Sequence, residues 1–277
     1  MTGRWRQIAA ATLAVSAALA PRPAAAQTSV EASPMRVEVQ AIPGASSTQS
    51  VTLTNAGTQL VRVRASLSDW YLSKEGAPQF EDPGPARAFA ASGWVRFAPP
   101  EFVIEGGSRA TVRFTLTVPQ DTEPGGYRTG LLFDFTPEEP DPAVRTKKVT
   151  VKSRIATLVY VHVAPPGLPG QPTASVELTG LQMRTRDATE VVATLKNVSR
   201  KSVRTKGSVV VYDLSGTVVR QIPVPDVPVL PESEREVVVP TSEAATPLPP
   251  GQYRVELKID VGQPAVIVGE TTLTVER

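Results

Sequence analysis

Cysteine is absent from the 277 residues, and histidine occurs once. The first absence excludes disulfides, zinc-thiolate sites, iron–sulfur clusters and a cysteine nucleophile. The second excludes the common two- and three-histidine metal sites and leaves His162 as the one possible base of a Ser-His-Asp triad. His162 lies in the alternating run VYVHV, which reads as a half-buried strand position. Gly-x-Ser-x-Gly, the P-loop and a helix-opening Gly-x-Gly-x-x-Gly are missing as well, so no catalytic residue, metal or small-molecule cofactor is expected. Glu138, Glu139 and Asp141 sit in the loop PEEPDP, a solvated acidic loop rather than a glycosidase pair or calcium site. Basic residues are dispersed and do not interleave with aromatics, which argues against nucleic acid as a partner.

Proline is abundant, at 27 residues, about twice the usual share, and that many helix breakers disfavour long helices. The first 26 residues read as a signal peptide. MTGRWR is a short cationic segment, an apolar run covers 8–20, and PRPAAAQ supplies a small-residue site with the cut expected after Ala26. The apolar run is too short to span a bilayer, and no later stretch approaches 18 apolar residues. The processed chain is therefore expected not to span a membrane. Removing Arg4, Arg6 and Arg22 with this segment turns the formal charge from +2 to −1. An exported, cysteine-free chain fits a bacterial periplasm.

From residue 30 onward, short alternating runs dominate: SVTLT, LVRVRASL, RATVRFTLTV, EVVATL, YRVELKI and TTLTV. Turn clusters such as Pro43-Gly44, Asn55-Ala56-Gly57 and Pro124-Gly125-Gly126 separate them. This spacing marks an all-β sandwich or barrel. The chain also repeats itself. VTLTNAGTQLVRVR at 51–64 matches ATLKNVSRKSVRTK at 193–206, and Trp70 falls on Tyr212 at the same offset. PGGYR at 124–128 matches PGQYR at 250–254. The second offset is shorter by about 16 residues, which places an irregular insertion in 78–93. Two tandem immunoglobulin-like β-sandwich domains are expected, each with a tyrosine corner at its PGxYR segment. Their bounds are 27–164 and 173–277, joined by the Pro/Gly-rich linker 165–172.

Residues 147–164, KKVTVKSRIATLVYVHVA, form one long strand pattern. Val149, Val151, Ile155 and Val159 share one face. Lys152, Arg154, Tyr160 and His162 share the other. Such a run, far longer than a usual strand of ~5–6 residues, can leave part of itself as a sheet edge open to another chain.

With PMRVEV at 34–39, VTLTNAG at 51–57, Trp70, FAPPEFVIEGGSRATVRF at 97–114 and this long strand, the chain resembles the periplasmic pilus-assembly chaperones of the chaperone–usher system, the PapD-like family. The resemblance implies a periplasmic chaperone without catalysis, which caps pilin-like subunits by donating its long strand. An outer-membrane usher is a further candidate partner. It also implies two cations in an interdomain cleft that hold the subunit's C-terminal carboxylate. Arg36 matches the first. Thr157 stands where the second is expected, which leaves Arg154 and Lys152 as the nearest cations. The donor strand would present Val149, Val151, Ile155 and Val159. The alternative reading is an exported two-domain structural or adhesive protein that binds another surface protein.

Overall fold

The computed structural model describes residues 29–84, 88–137, 152–165, 173–185, 189–241 and 248–275. The expected signal segment, the acidic loop 138–141, Val149, Val151 and nearly all of the 165–172 linker lie outside the described residues. Those described form two immunoglobulin-like β-sandwiches with separate cores. Among them no α-helix occurs, and a single 3-10 turn spans Ser92–Trp94.

The first sandwich comprises β1 (Val30–Ser33), β2 (Arg36–Ala41), β3 (Ser46–Asn55), β4 (Val61–Leu72), β5 (Pro78–Glu81), β6 (Val95–Ala98), β7 (Glu101–Ile104), β8 (Arg109–Thr117), β9 (Gly125–Pro137) and β10 (Ser153–Val163). One sheet runs β1-β3-β8-β6. The other runs β2-β10-β9-β4-β5, with β7 also on β4. Val51 and Leu53 of β3 meet Val112, Phe114 and Leu116 of β8 and Phe133 and Phe135 of β9 in the core. These are the inward positions of alternating runs, and each buried side chain contributes ~1.5–3 kcal/mol. Part of the expected irregular insertion is ordered: β5 pairs with the end of β4, from Asp69↔Glu81 to Leu72↔Pro78.

The N-terminal strand changes sheets. β1 pairs antiparallel with β3, whereas β2 pairs in parallel with β10. The chain therefore contributes an edge to both sheets, one on each side of Pro34 and Met35.

The second sandwich holds β11 (Val176–Thr185), β12 (Thr189–Asn197), β13 (Val203–Arg204), β14 (Lys206–Tyr212), β15 (Val218–Pro223), β16 (Pro228–Val229), β17 (Glu234–Pro240), β18 (Gly251–Asp260) and β19 (Ile267–Val275). Its sheets run β11-β12-β17 and β15-β14-β18-β19, with β13 paired to β16.

The sequence repeat corresponds to matching hydrogen bonds. Asn55 and Asn197 each end a strand and are fully buried. Nδ2 of Asn55 donates to the carbonyls of Gln59 (2.7 Å) and Ile104 (3.1 Å). Nδ2 of Asn197 donates to those of Lys201 (2.8 Å), Leu230 (3.0 Å) and Val229 (3.2 Å). Each Oδ1 accepts a backbone N–H two residues on, from Gly57 and Ser199. The asparagine thus satisfies buried backbone groups that a strand end would otherwise orphan. The Tyr127 hydroxyl donates to the Glu123 carbonyl (2.9 Å), and that of Tyr253 donates to the Pro249 carbonyl (2.7 Å). Both are tyrosine corners.

Burial also explains the sequon Asn197-Val198-Ser199. Its asparagine is a structural tie, closed to a glycan in the folded chain. Asn197→Ala would strand two or three buried carbonyls. A loss of about 2–4 kcal/mol is expected, measurable as a lowered urea midpoint, with Asn197→Asp intermediate.

Candidate functional site

Among the described residues, the two sandwiches meet at three places. At the centre, Trp70 and Tyr160 pack edge-to-face (5.2 Å between centroids, 79°) and close around Leu230 of the second sandwich. To one side, the Gly126 N–H donates to the Arg200 carbonyl (2.6 Å). Here the backbones approach so closely that a Cβ at Gly126 would lie 2.6 Å from Ser202 Oγ and 2.9 Å from its nitrogen. Arg200 adds a hydrogen bond to the Tyr127 hydroxyl (3.1 Å), an ion pair with Glu123 (3.2 Å) and a stack on Phe89 (4.8 Å). The third contact joins the β4–β5 turn to β17: the Glu236 N–H donates to the Lys74 carbonyl (2.7 Å), and Lys74 pairs with Glu234 (3.3 Å).

Beside this seam lies a cavity of about 200 Å³, lined from both sandwiches. Arg36, Glu38, Gln40, Tyr160 and His162 line it from β2 and β10. Ser202, Val203, Arg204 and Pro228 line it from the second sandwich. The parallel register Arg36↔Leu158, Glu38↔Tyr160, Gln40↔His162 places these side chains on one face. The Arg36 guanidinium lies over the Tyr160 ring (5.0 Å) and pairs with Glu38. Arg204 pairs with Asp226 (2.7 Å). That hydrogen bond is the main reason the Asp226 carboxyl is held below its ordinary range. Burial pushes the Tyr160 phenol up, against the pull of Arg36, Arg204 and Arg128. Burial also pushes His162 down, helped by Arg36 and Lys201. The cavity thus holds one guanidinium from each sandwich. Each is already balanced by a carboxylate of its own sandwich and can exchange that partner for an incoming anion.

Of the three cations expected from the sequence, Arg36 lines this cavity and the other two do not. Lys152 and Arg154 line a different, outer cavity of about 640 Å³, with Arg62, Arg64, Glu101 and Asp134. The reason is register. Arg36 pairs with Leu158, and at ~3.3 Å per residue Arg154 lies roughly 13 Å further along β10. Arg154 instead clasps Asp134 on β9 (Nε 2.6 Å, Nη2 3.0 Å). Thr157 is buried and donates its hydroxyl to the Pro34 carbonyl (3.0 Å). Arg204, the cation that does face Arg36, was not foreseen. It sits in a two-residue strand, where no periodicity singles it out.

The strand β10 differs along its two flanks. β9 covers one flank from end to end, Ser153↔Phe135 to Val163↔Gly125. β2 covers the other only at 158–163. Among the described residues, no strand pairs with that flank at 153–156. This places the expected donor residues. Ile155 is half-buried against the first core, beside the open flank. Val159 is placed differently from Ile155: it is 1% exposed, belongs to that core and pairs with both Val37 and Thr129. Offering it to another chain would require displacing β2.

Because the folded state keeps His162 deprotonated below its usual pKa, folding binds fewer protons at that residue than the unfolded chain does. Stability from this group is therefore full above about pH 6.5 and falls as pH drops below it. His162→Gln is expected to flatten the decline of the thermal midpoint between pH 6.5 and 5, while the later acid loss from carboxylates such as Asp226 and Asp134 persists.

No family model and no curated protein matches the chain. Among solved structures, the chain is similar to the YadV chaperone, at 15% identity and a TM-score of 0.45, over 88% of this chain and 99% of that one. It is similar to a chain of the CsuC–CsuE chaperone–tip adhesion subunit pre-assembly complex of Acinetobacter baumannii, at 13% identity and a TM-score of 0.44, over 88% and 98%. It is also similar to the E. coli chaperone DraB, at 15% identity and a TM-score of 0.42, over 90% and 98%.

Proposed function

We propose that this protein is an exported, periplasmic chaperone that caps an incomplete partner sandwich by strand addition and holds the partner's chain end in the cleft. The observation that carries this reading is the half-covered β10. Its open flank at 153–156 ends where β2 begins, and there Arg36 opens into the cleft. A strand added along this flank gains main-chain hydrogen bonds and ends beside a guanidinium. Arg36 and Arg204 together would hold its terminal carboxylate by charge-assisted hydrogen bonds. The binding free energy comes from strand pairing and apolar packing, with no catalytic step. Ile155, together with Val149 and Val151, would present the apolar row. Pilin-like subunits are the client class that the sequence resemblance implies, with an outer-membrane usher as the receiving partner. On this reading, residues 165–172 are the boundary between the two domains.

The test is capture from a periplasmic extract by the tagged, processed chain, with the bound protein identified. Arg36→Ala and Arg204→Ala are each expected to lower recovery of a pilin-like subunit about tenfold, the loss of one charge-assisted bond of ~1.5 kcal/mol, with thermal midpoints nearly unchanged. Recovery unaffected by both variants removes the cleft from the mechanism. Recovery of only intact surface proteins favours the adhesive reading.

A further inference from the structure

The outer face of the β10 sheet carries a row of alternating charge. Glu101 on β7 is the register partner of Arg64 on β4. Arg64 is the partner of Asp134 on β9, and Asp134 is the partner of Arg154 on β10. Register partners share a face, so the row crosses four strands in the order acid, base, acid, base. Its contacts are Arg64 to Glu101 (3.8 Å) and Arg154 to Asp134 (2.6 Å). Arg62 reinforces the first acid (3.2 Å).

The row stops at Arg154 because the sheet stops there among the described residues. Among the described residues, Arg64 has an acidic register partner on both sides, whereas Arg154 has one on a single side, with Asp82 the other acid that acts on it. Its Nε and Nη2 are used on Asp134, and Nη1 makes no hydrogen bond among the described residues. The charges lining the cavity are unequal as well: Arg62, Arg64, Lys152 and Arg154 outnumber Glu101 and Asp134. On the opposite face of β10, the neighbouring Ile155 packs toward the core.

We infer that the strand added at 153–156 carries an aspartate or glutamate opposite Arg154 on its outer face, flanked by apolar residues directed inward alongside Ile155. The occupant is thus an extended segment of a partner protein with an apolar–acidic–apolar alternation. The acid extends the row by one member and offsets the cavity's excess of positive charge. A lysine in its place would lie beside Arg154 and Lys152, two cations of the same β10 segment. This inference rests on the strand-addition reading above and adds to it a side-chain rule for client choice.

Three synthetic nine-residue peptides test it. They alternate threonine and valine and differ only at the central outward position, which is glutamate, glutamine or lysine. Binding to the processed full-length chain is read by fluorescence polarisation at low salt, and amide shifts at 153–156 locate it. The glutamate peptide is expected to bind about fivefold more tightly than the lysine peptide, the size of a favourable cross-strand ion pair, with the gap narrowing as salt is added. Arg154→Lys should keep the order, Arg154→Gln should shrink it, and Arg154→Glu should invert it. Peptides that bind at 153–156 without regard to charge, or with the same order in Arg154→Gln and Arg154→Glu, overturn the inference and leave strand addition standing. Failure of all three peptides to bind overturns both.

Discussion

Strand β2 pairs in parallel with β10 from Arg36↔Leu158 to Ala41↔Val163 and goes no further. Much of the molecule follows from where that pairing starts. It buries Val159 and Val161 between two sheets. It lays Arg36 over Tyr160, facing the second sandwich. Among the described residues, it also leaves the earlier part of β10 with one hydrogen-bonded flank. A β1–β2 edge that stayed in one sheet would either cover β10 completely or leave it bare. Crossing at Pro34 and Met35 produces the intermediate case, with an open edge and a cation at its end.

The cleft depends on how firmly the sandwiches are held. The Trp70–Tyr160–Leu230 cluster is apolar and buried, the Gly126–Arg200 contact is backbone to backbone, and the Lys74 turn adds a further backbone bond to β17. Among the described residues, three separated contacts resist both rotation and opening and hold the walls that carry Arg36 and Arg204. Such preorganisation reduces the ordering cost of binding. Each guanidinium is also kept in place by a nearby carboxylate, so the cleft is not a bare patch of positive charge.

Internal repetition reaches further than the strand pattern. Trp70 with Arg128 (5.9 Å) and Tyr212 with Arg254 (4.1 Å) are equivalent aromatic–guanidinium pairs, one in each sandwich. In the first sandwich this pair has been drawn into the inter-sandwich cluster, where the Arg128 Nε–H also donates to the Trp70 carbonyl (2.8 Å). In the second it stays near the surface. The same local device thus supports a domain seam in one copy and an exposed sheet face in the other.

Alternation, turn residues and the two recurring motifs were sufficient to read the all-β class, the duplicated sandwich, the buried asparagines' strand ends and both tyrosine corners, because each is marked by turn residues close in sequence or by period-two burial. The face relations along β10 were legible for the same reason: Arg154 and Tyr160 do lie opposite Ile155 and Val159. What the local pattern could not contain is which neighbour lies beside each residue. Val159 and Ile155 look alike in sequence, yet β2 flanks one and not the other. Arg154 and Arg36 share a face, yet strand register separates them. Arg204 is unremarkable among 29 lysines and arginines, yet the packing of the second sandwich brings it opposite Arg36. Period and composition are properties of a strand, whereas pairing register and domain docking are properties of distant segments meeting. Those meetings alone decided which cation, and which stretch of edge, a partner would encounter.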